Sequence, residues 1–176
     1  STSVTKVVDD QDATQITLSS AASVTEGGQI VVTATVDKAP QGSNLVITLK
    51  SGETITILEG QLTGKVEIGT RPDDEFKQGD ETKTFEIDTA KGGNYEALDT
   101  SSTSVTKVVD DQDATKITLS SAASVTEGGA ITVTATVANA VTGSPLMIEV
   151  KNSAGAVVGT ITIPVGATTG NSLSVA

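Results

Sequence analysis

The chain has 176 residues, 22 acids against 11 bases and no His, for a formal net charge of −11. That balance argues against nucleic acid and anionic membranes, which call for Lys and Arg clusters, and the absence of Cys excludes disulfides and thiolate metal sites. Only Phe76, Phe85 and Tyr95 are aromatic, so the core has to be built from Val, Ile, Leu and Ala, and a small domain with so light a core needs support from outside it.

An internal repeat organises the chain. Shifted by 101 positions, residues 1–50 and 102–151 share 39 identities in 50 positions. A unit of that size is a domain, far longer than one turn of a solenoid. The period makes 13–113 a complete repeat with its C-terminal linker, 1–12 the last strand of a preceding repeat, and 114–176 an incomplete second repeat with five extra residues in 152–159. The chain is thus expected to be a piece of a longer tandem array. No apolar run approaches the roughly 18 residues of a membrane-spanning helix, so no membrane insertion is expected.

Within 13–113, apolar residues alternate with Thr or charge between Gly and Asp/Asn turns. The pattern predicts strands A at 15–19, B at 29–36, C at 45–50, D at 54–58, E at 65–68, F at 83–88 and G at 102–109, and no helix. This spacing points to an all-β fold, a seven-stranded antiparallel immunoglobulin-like sandwich in tandem repeats. Neither paired Cys nor Trp marks it, and Tyr95 follows strand F where a tyrosine corner would precede it.

Successive antiparallel strands place the A–B turn, the C–D turn, the E–F loop and the end of G at one pole. Most of the clustered carboxylates fall there. Their mutual repulsion rises if water is excluded, and Ca2+ relieves it by taking six to eight oxygens. The predicted cage is Glu26, Asp73, Asp74, Asp110 and Asp111, with Asp113 reaching toward the following repeat and Gly27 and Gly28 allowing close backbone approach. Asp9, Asp10 and Asp12 are the same acids before the first repeat, and Glu127 matches Glu26. Asp80 and Glu81 are expected to be solvated. A solvated acidic face beside an ordinary hairpin turn is the competing reading, and spacing alone does not separate the two.

Val24-Thr25-Glu26-Gly27-Gly28, Gly92-Gly93-Asn94-Tyr95-Glu96 and Val108-Val109-Asp110-Asp111, in that order, resemble the tandem immunoglobulin-like extender repeats of giant RTX-type bacterial biofilm adhesins exported by type I secretion. Residues 161–170 of the second copy look like the same family's middle segment. The Glu-Gly turn and the terminal Asp pair are also similar to calcium-binding Calx-beta domains. The resemblance implies a calcium-rigidified stalk at the bacterial cell surface that projects an adhesive tip, with neighbouring repeats of the same chain as partners. It places calcium on Glu26, Asp110 and Asp111, and less firmly on Asp73 and Asp74.

No catalytic role is expected, since without His or Cys only carboxylate pairs remain, with no aromatic platform for a sugar. The alternative function is a carbohydrate- or protein-binding adhesion domain using the B–C loop (37–44) and the F–G loop (89–101), with Lys38, Lys91 and Tyr95 as contacts. Against it, Tyr95 and Leu98 are suited to plugging the end of the core. Residues 1–8 read as a spare G strand, and the second copy has none.

Overall fold

The computed structural model describes all residues, Ser1–Ala176, and divides them into two compact units, Ser1–Asp111 and Gln112–Ala176. The first unit contains β1 (Ala13–Ser19), β2 (Ser23–Thr25), β3 (Gln29–Val36), β4 (Leu45–Leu49), β5 (Thr54–Ile57), β6 (Thr63–Gly69), β7 (Glu81–Gly92), β8 (Ala97–Asp99) and β9 (Thr103–Val109). They form two sheets, ordered β6-β3-β1-β8 and β2-β9-β7-β4-β5. The chain is all-β, as its alternation predicts.

Alternation sets which side chains go inside. In β1, Thr14, Ile16 and Leu18 are buried while Gln15, Thr17 and Ser19 face out. From the other strands come Ile30, Val32, Ala34 and Val36 of β3, Leu45, Ile47 and Leu49 of β4, Ile55 and Ile57 of β5, Phe85 and Ile87 of β7 and Val108 of β9. The core is aliphatic except for Phe85. Each fully buried Ile or Leu contributes about 1.5–3 kcal/mol relative to exposure.

Three features go beyond the predicted strands. Strand F extends to Glu81–Gly92, pairing with β9 along its first half and with β4 along its second. Two short strands, β2 and β8, pair in parallel with the distant β9 and β1. Between β1 and β2 the chain leaves one sheet for the other, and hydroxyls support the crossing. Thr106 Oγ1 is fully buried, donates to the Ala21 carbonyl at 2.7 Å and lies 2.8 Å from Ser20 Oγ. Ser20 Oγ in turn lies 2.5 Å from Ser104 Oγ, so the buried polar atoms are paired. Residues 1–12 are exposed and form no strand, with the Asp12 amide donating to Glu96 Oε2 at 2.7 Å.

The second unit contains β10 (Ile117–Ser121), β11 (Ile131–Val137), β12 (Leu146–Lys151), β13 (Val157–Ile163) and β14 (Leu173–Val175). One sheet has the order β10-β11-β14, and β12 and β13 form a two-stranded sheet. Its core is smaller, centred on Ala135, Val150 and Ile161.

Candidate metal centre

The Thr25-Glu26-Gly27-Gly28 turn links β2 to β3. The Gly28 amide donates to the Thr25 carbonyl at 3.1 Å and Gly27 has φ 77°, the positive φ that the third residue of a type II turn requires. Two more backbone bonds hold the turn to its surroundings. The Glu26 amide donates to the Val109 carbonyl at the end of β9 at 3.0 Å, and the Gly27 amide donates to the Arg71 carbonyl at 2.8 Å. Glu26 is thereby pinned between the end of β9 and the loop that follows β6, and its side chain is fully buried.

A buried carboxylate needs partners on both oxygens. Glu26 has one on one oxygen, where Arg71 Nε donates to Oε2 at 2.7 Å. Its Oε1 is buried with no hydrogen-bond partner, and so is Asp110 Oδ1. The Asp110 carboxyl lies against Glu26. Although the Arg71 hydrogen bond acts to lower it, burial and the Asp110 carboxyl hold Glu26 above the ordinary glutamate range. Asp110 is held below the usual aspartate range, chiefly because its Oδ2 accepts the Gln78 and Gly79 amides at 2.8 and 3.1 Å.

Oxygens of Glu26, Asp73 and Asp111 converge, one from each, to within 4.8 Å of one another, the first buried and the other two exposed. Three carboxylates gathered at one point, one of them buried, are an all-oxygen donor set, which suits a hard cation and not zinc or copper. Gly27 is part of this convergence, since a Cβ there would stand 2.9 Å from Asp73 Cβ. The lack of a side chain lets Asp73 close over the turn.

The other acids singled out in the sequence have different places. Asp110 adjoins the group and clasps the 78–79 backbone. Asp74 Oδ1 caps the Phe76 amide at 2.9 Å, and its Oδ2 takes the Gln78 side-chain amide. Asp9, Asp10, Asp12, Asp113 and Glu127 are exposed and outside the convergent three. Asp80, expected to be solvated, pairs with Lys107 at 2.6 Å and accepts the Asp110 amide at 3.2 Å. Glu81, also expected to be solvated, pairs with Lys83 at 2.7 Å.

Arg71 is the residue that acid spacing missed. Its Nε binds Glu26, its Nη2 donates to the Gly79 carbonyl at 2.5 Å, and Nη2 lies 3.8 Å from Asp110 Oδ1. It is the only arginine in the chain. A planar fork that binds a carboxylate and a carbonyl together suits Arg and not Lys.

At the opposite pole, the Tyr95 hydroxyl donates to the Lys38 carbonyl at 2.5 Å, and Tyr95 and Leu98 pack against the core. The one tyrosine of the proposed ligand loops is thus engaged within the fold.

Comparison with known families places residues 12–176 of the chain. Residues 12–112 and 113–176 each match the family model of the LapA domain. No curated protein matches the sequence.

Proposed function

The chain belongs to the LapA domain family, named for a large bacterial surface adhesin, and from that premise we propose that it is an extender segment of an adhesin stalk whose first unit is stiffened by calcium. The observation that carries this reading is the convergence of one carboxylate oxygen each from the buried Glu26 and the exposed Asp73 and Asp111, on a glutamate whose Oε1 is buried without a hydrogen-bond partner. Asp111 is also the last residue of the first unit, so an ion held there would tie the departing chain to the β2–β3 turn and to the loop after β6. Glu26, Asp73 and Asp111 would hold the ion, with water and carbonyls completing the six to eight oxygens that calcium takes. When bound, calcium supplies the positive charge that four neighbouring acids, Glu26, Asp73, Asp110 and Asp111, receive only in part from Arg71.

Extracellular calcium modules bind with dissociation constants of about 10⁻⁴–10⁻³ M. Such a site is empty in a calcium-poor cytosol and filled outside, which suits a chain that leaves the cell unfolded by type I secretion and folds at the surface. At about 10 mM calcium the binding free energy stabilises the first unit by about 1.4–2.7 kcal/mol, a melting shift of about 6–20 °C for a domain of this size. The test is a thermal melt in calcium and in chelator, with Glu26→Gln as the control that removes the shift. Coincident wild-type curves would refute calcium binding. Small-angle scattering that is the same with and without the ion would refute the stiffening.

A further inference from the structure

We propose that Asp110 is the latch of the acid pole and not one of the ion's ligands: it fastens the loop between β6 and β7 and so sets Asp73 beside Glu26 and Asp111. The inference rests on the calcium reading above. It goes further by separating the residues that would touch the ion from the one that builds the site.

The three convergent acids come from three segments, Glu26 from the β2–β3 turn, Asp73 from the loop of residues 70–80 and Asp111 from just past β9. Glu26 is tied to the end of β9, since its amide donates to the Val109 carbonyl at 3.0 Å, and Asp111 follows that end by two residues. Asp73 has no such support, because it is exposed and lies in a loop that joins no sheet. Its position depends on how the loop is tied down.

The near end of the loop is fixed to the turn. Thr70 donates to the Gly28 carbonyl through its amide at 3.1 Å and its hydroxyl at 2.8 Å, and the Gly27 amide donates to the Arg71 carbonyl at 2.8 Å. The far half is fixed to Asp110. Its Oδ2 accepts two successive amides, Gln78 at 2.8 Å and Gly79 at 3.1 Å, while its own amide donates to Asp80 Oδ1 at 3.2 Å. Gly79 has φ 78°, the left-handed backbone that turns successive amides toward one anion. Arg71 Nη2 donates to the carbonyl of the same glycine, which joins the two ends of the loop.

Asp74 completes the path. Its Oδ1 accepts the Phe76 amide and its Oδ2 the Gln78 side chain, so Asp73 is connected through Asp74 and Gln78 to Asp110, the neighbour of Asp111. The other Asp110 oxygen, Oδ1, lies 3.8 Å from Arg71 Nη2, and the oxygens that converge are those of Asp111 and not Asp110.

Amide hydrogen exchange of the full chain in chelator, together with calcium titration by calorimetry, tests this on three variants. Asp110→Asn and Asp110→Ala remove the same charge, so the difference between them isolates the oxygen that takes the two amides. Asp110→Asn should keep the Gln78 and Gly79 amides protected, and in Asp110→Ala they should exchange about tenfold faster than in wild type, or more. Calcium should bind Asp110→Ala at least about tenfold more weakly than Asp110→Asn, because Asp73 is no longer held in place. Asp111→Asn should do the reverse, weakening calcium about tenfold or more while leaving both amides as protected as in wild type. Equal calcium affinity in the two Asp110 variants, or amides at 78 and 79 that exchange as fast in wild type as in Asp110→Ala, would overturn the latch and leave the calcium site standing. A wild type that takes up no calcium would overturn the calcium reading and, with it, the service of Asp110 to the ion.

Discussion

Replacing Gly27 by Ala tests whether the turn geometry holds the acid cluster, because it leaves every carboxylate in place. Two costs arise. The first is conformational, since Gly27 has φ 77°, and an L-residue in that left-handed region costs about 1–2 kcal/mol. The second is steric, since the new Cβ would stand 2.9 Å from Asp73 Cβ and 3.4 Å from the Asp73 amide nitrogen, so Asp73 has to retreat. The second unit carries the matched control. Gly128 occupies the same turn with φ 81° and has nothing within 4 Å of its Cβ position, so Gly128→Ala incurs only the first cost. Each kcal/mol lowers the melting temperature of a domain this size by about 4–8 °C, so Gly27→Ala should lower that of the first unit by at least about 4 °C. The distinguishing readout is calcium titration by calorimetry. Gly27→Ala should weaken affinity about tenfold or more, the equivalent of 1.4 kcal/mol, and Gly128→Ala should leave it unchanged. Equal affinities in the two variants would show that Asp73 is not held against the turn, and the cage as drawn would fail.

Arg71→Gln removes the one guanidinium from the acid group and leaves the Gly79 carbonyl without its donor. In chelator it should melt below wild type, and its gain on adding calcium should be larger than wild type's, because the cation then meets four acids with no resident positive charge. Acid titration separates two effects of opposite sign. Asp110 is depressed by its amide donors, so its contribution to stability is present above the ordinary aspartate value of 3.8 and lost as pH falls below it. Glu26 is raised by burial and Asp110 against the Arg71 bond, so the native state favours its protonated form, and that preference is lost as pH rises through its folded value above 4.5. At the proposed site calcium competes with a proton for Glu26. Its stabilising effect should therefore shrink on acidification while pH is still above 4.5, before chelator-treated protein loses the Asp110 contribution; a calcium effect that persists unchanged to 3.8 would contradict the role of Glu26.

Much of the sandwich is legible in period-two alternation, because a strand with one buried face leaves that mark on its own residues, as 13–19 and 29–36 do. β2 and β8 leave no such mark. Each is three residues long and exists through parallel pairing with a strand far away in sequence. At the acid pole, topology was enough to bring Glu26, Asp73 and Asp111 to one end. It could not say which acids share a point and which serve the loop, because that depends on backbone amides at Phe76, Gln78 and Gly79. Arg71 went unnoticed for the same reason, since a single base at the edge of an acid run reads as surface until its hydrogen-bond partners are known.

The parallel pairing of β2 with β9 bears on what happens when the first unit is pulled. β1 and β2 carry the incoming chain in the same direction in which β9 carries it out, so the entry before Ala13 and the exit after Val109 lie at opposite poles of the sandwich. Tension between those points drags β2 and β9 past each other along their length. The bonds from Lys107 to Ala22 and from Glu26 to Val109, with the ladder between them, are loaded together in shear instead of being unzipped one at a time. Rupture then requires several bonds to fail at once, and resistance to such a pull is set by the height of that barrier and not by equilibrium stability.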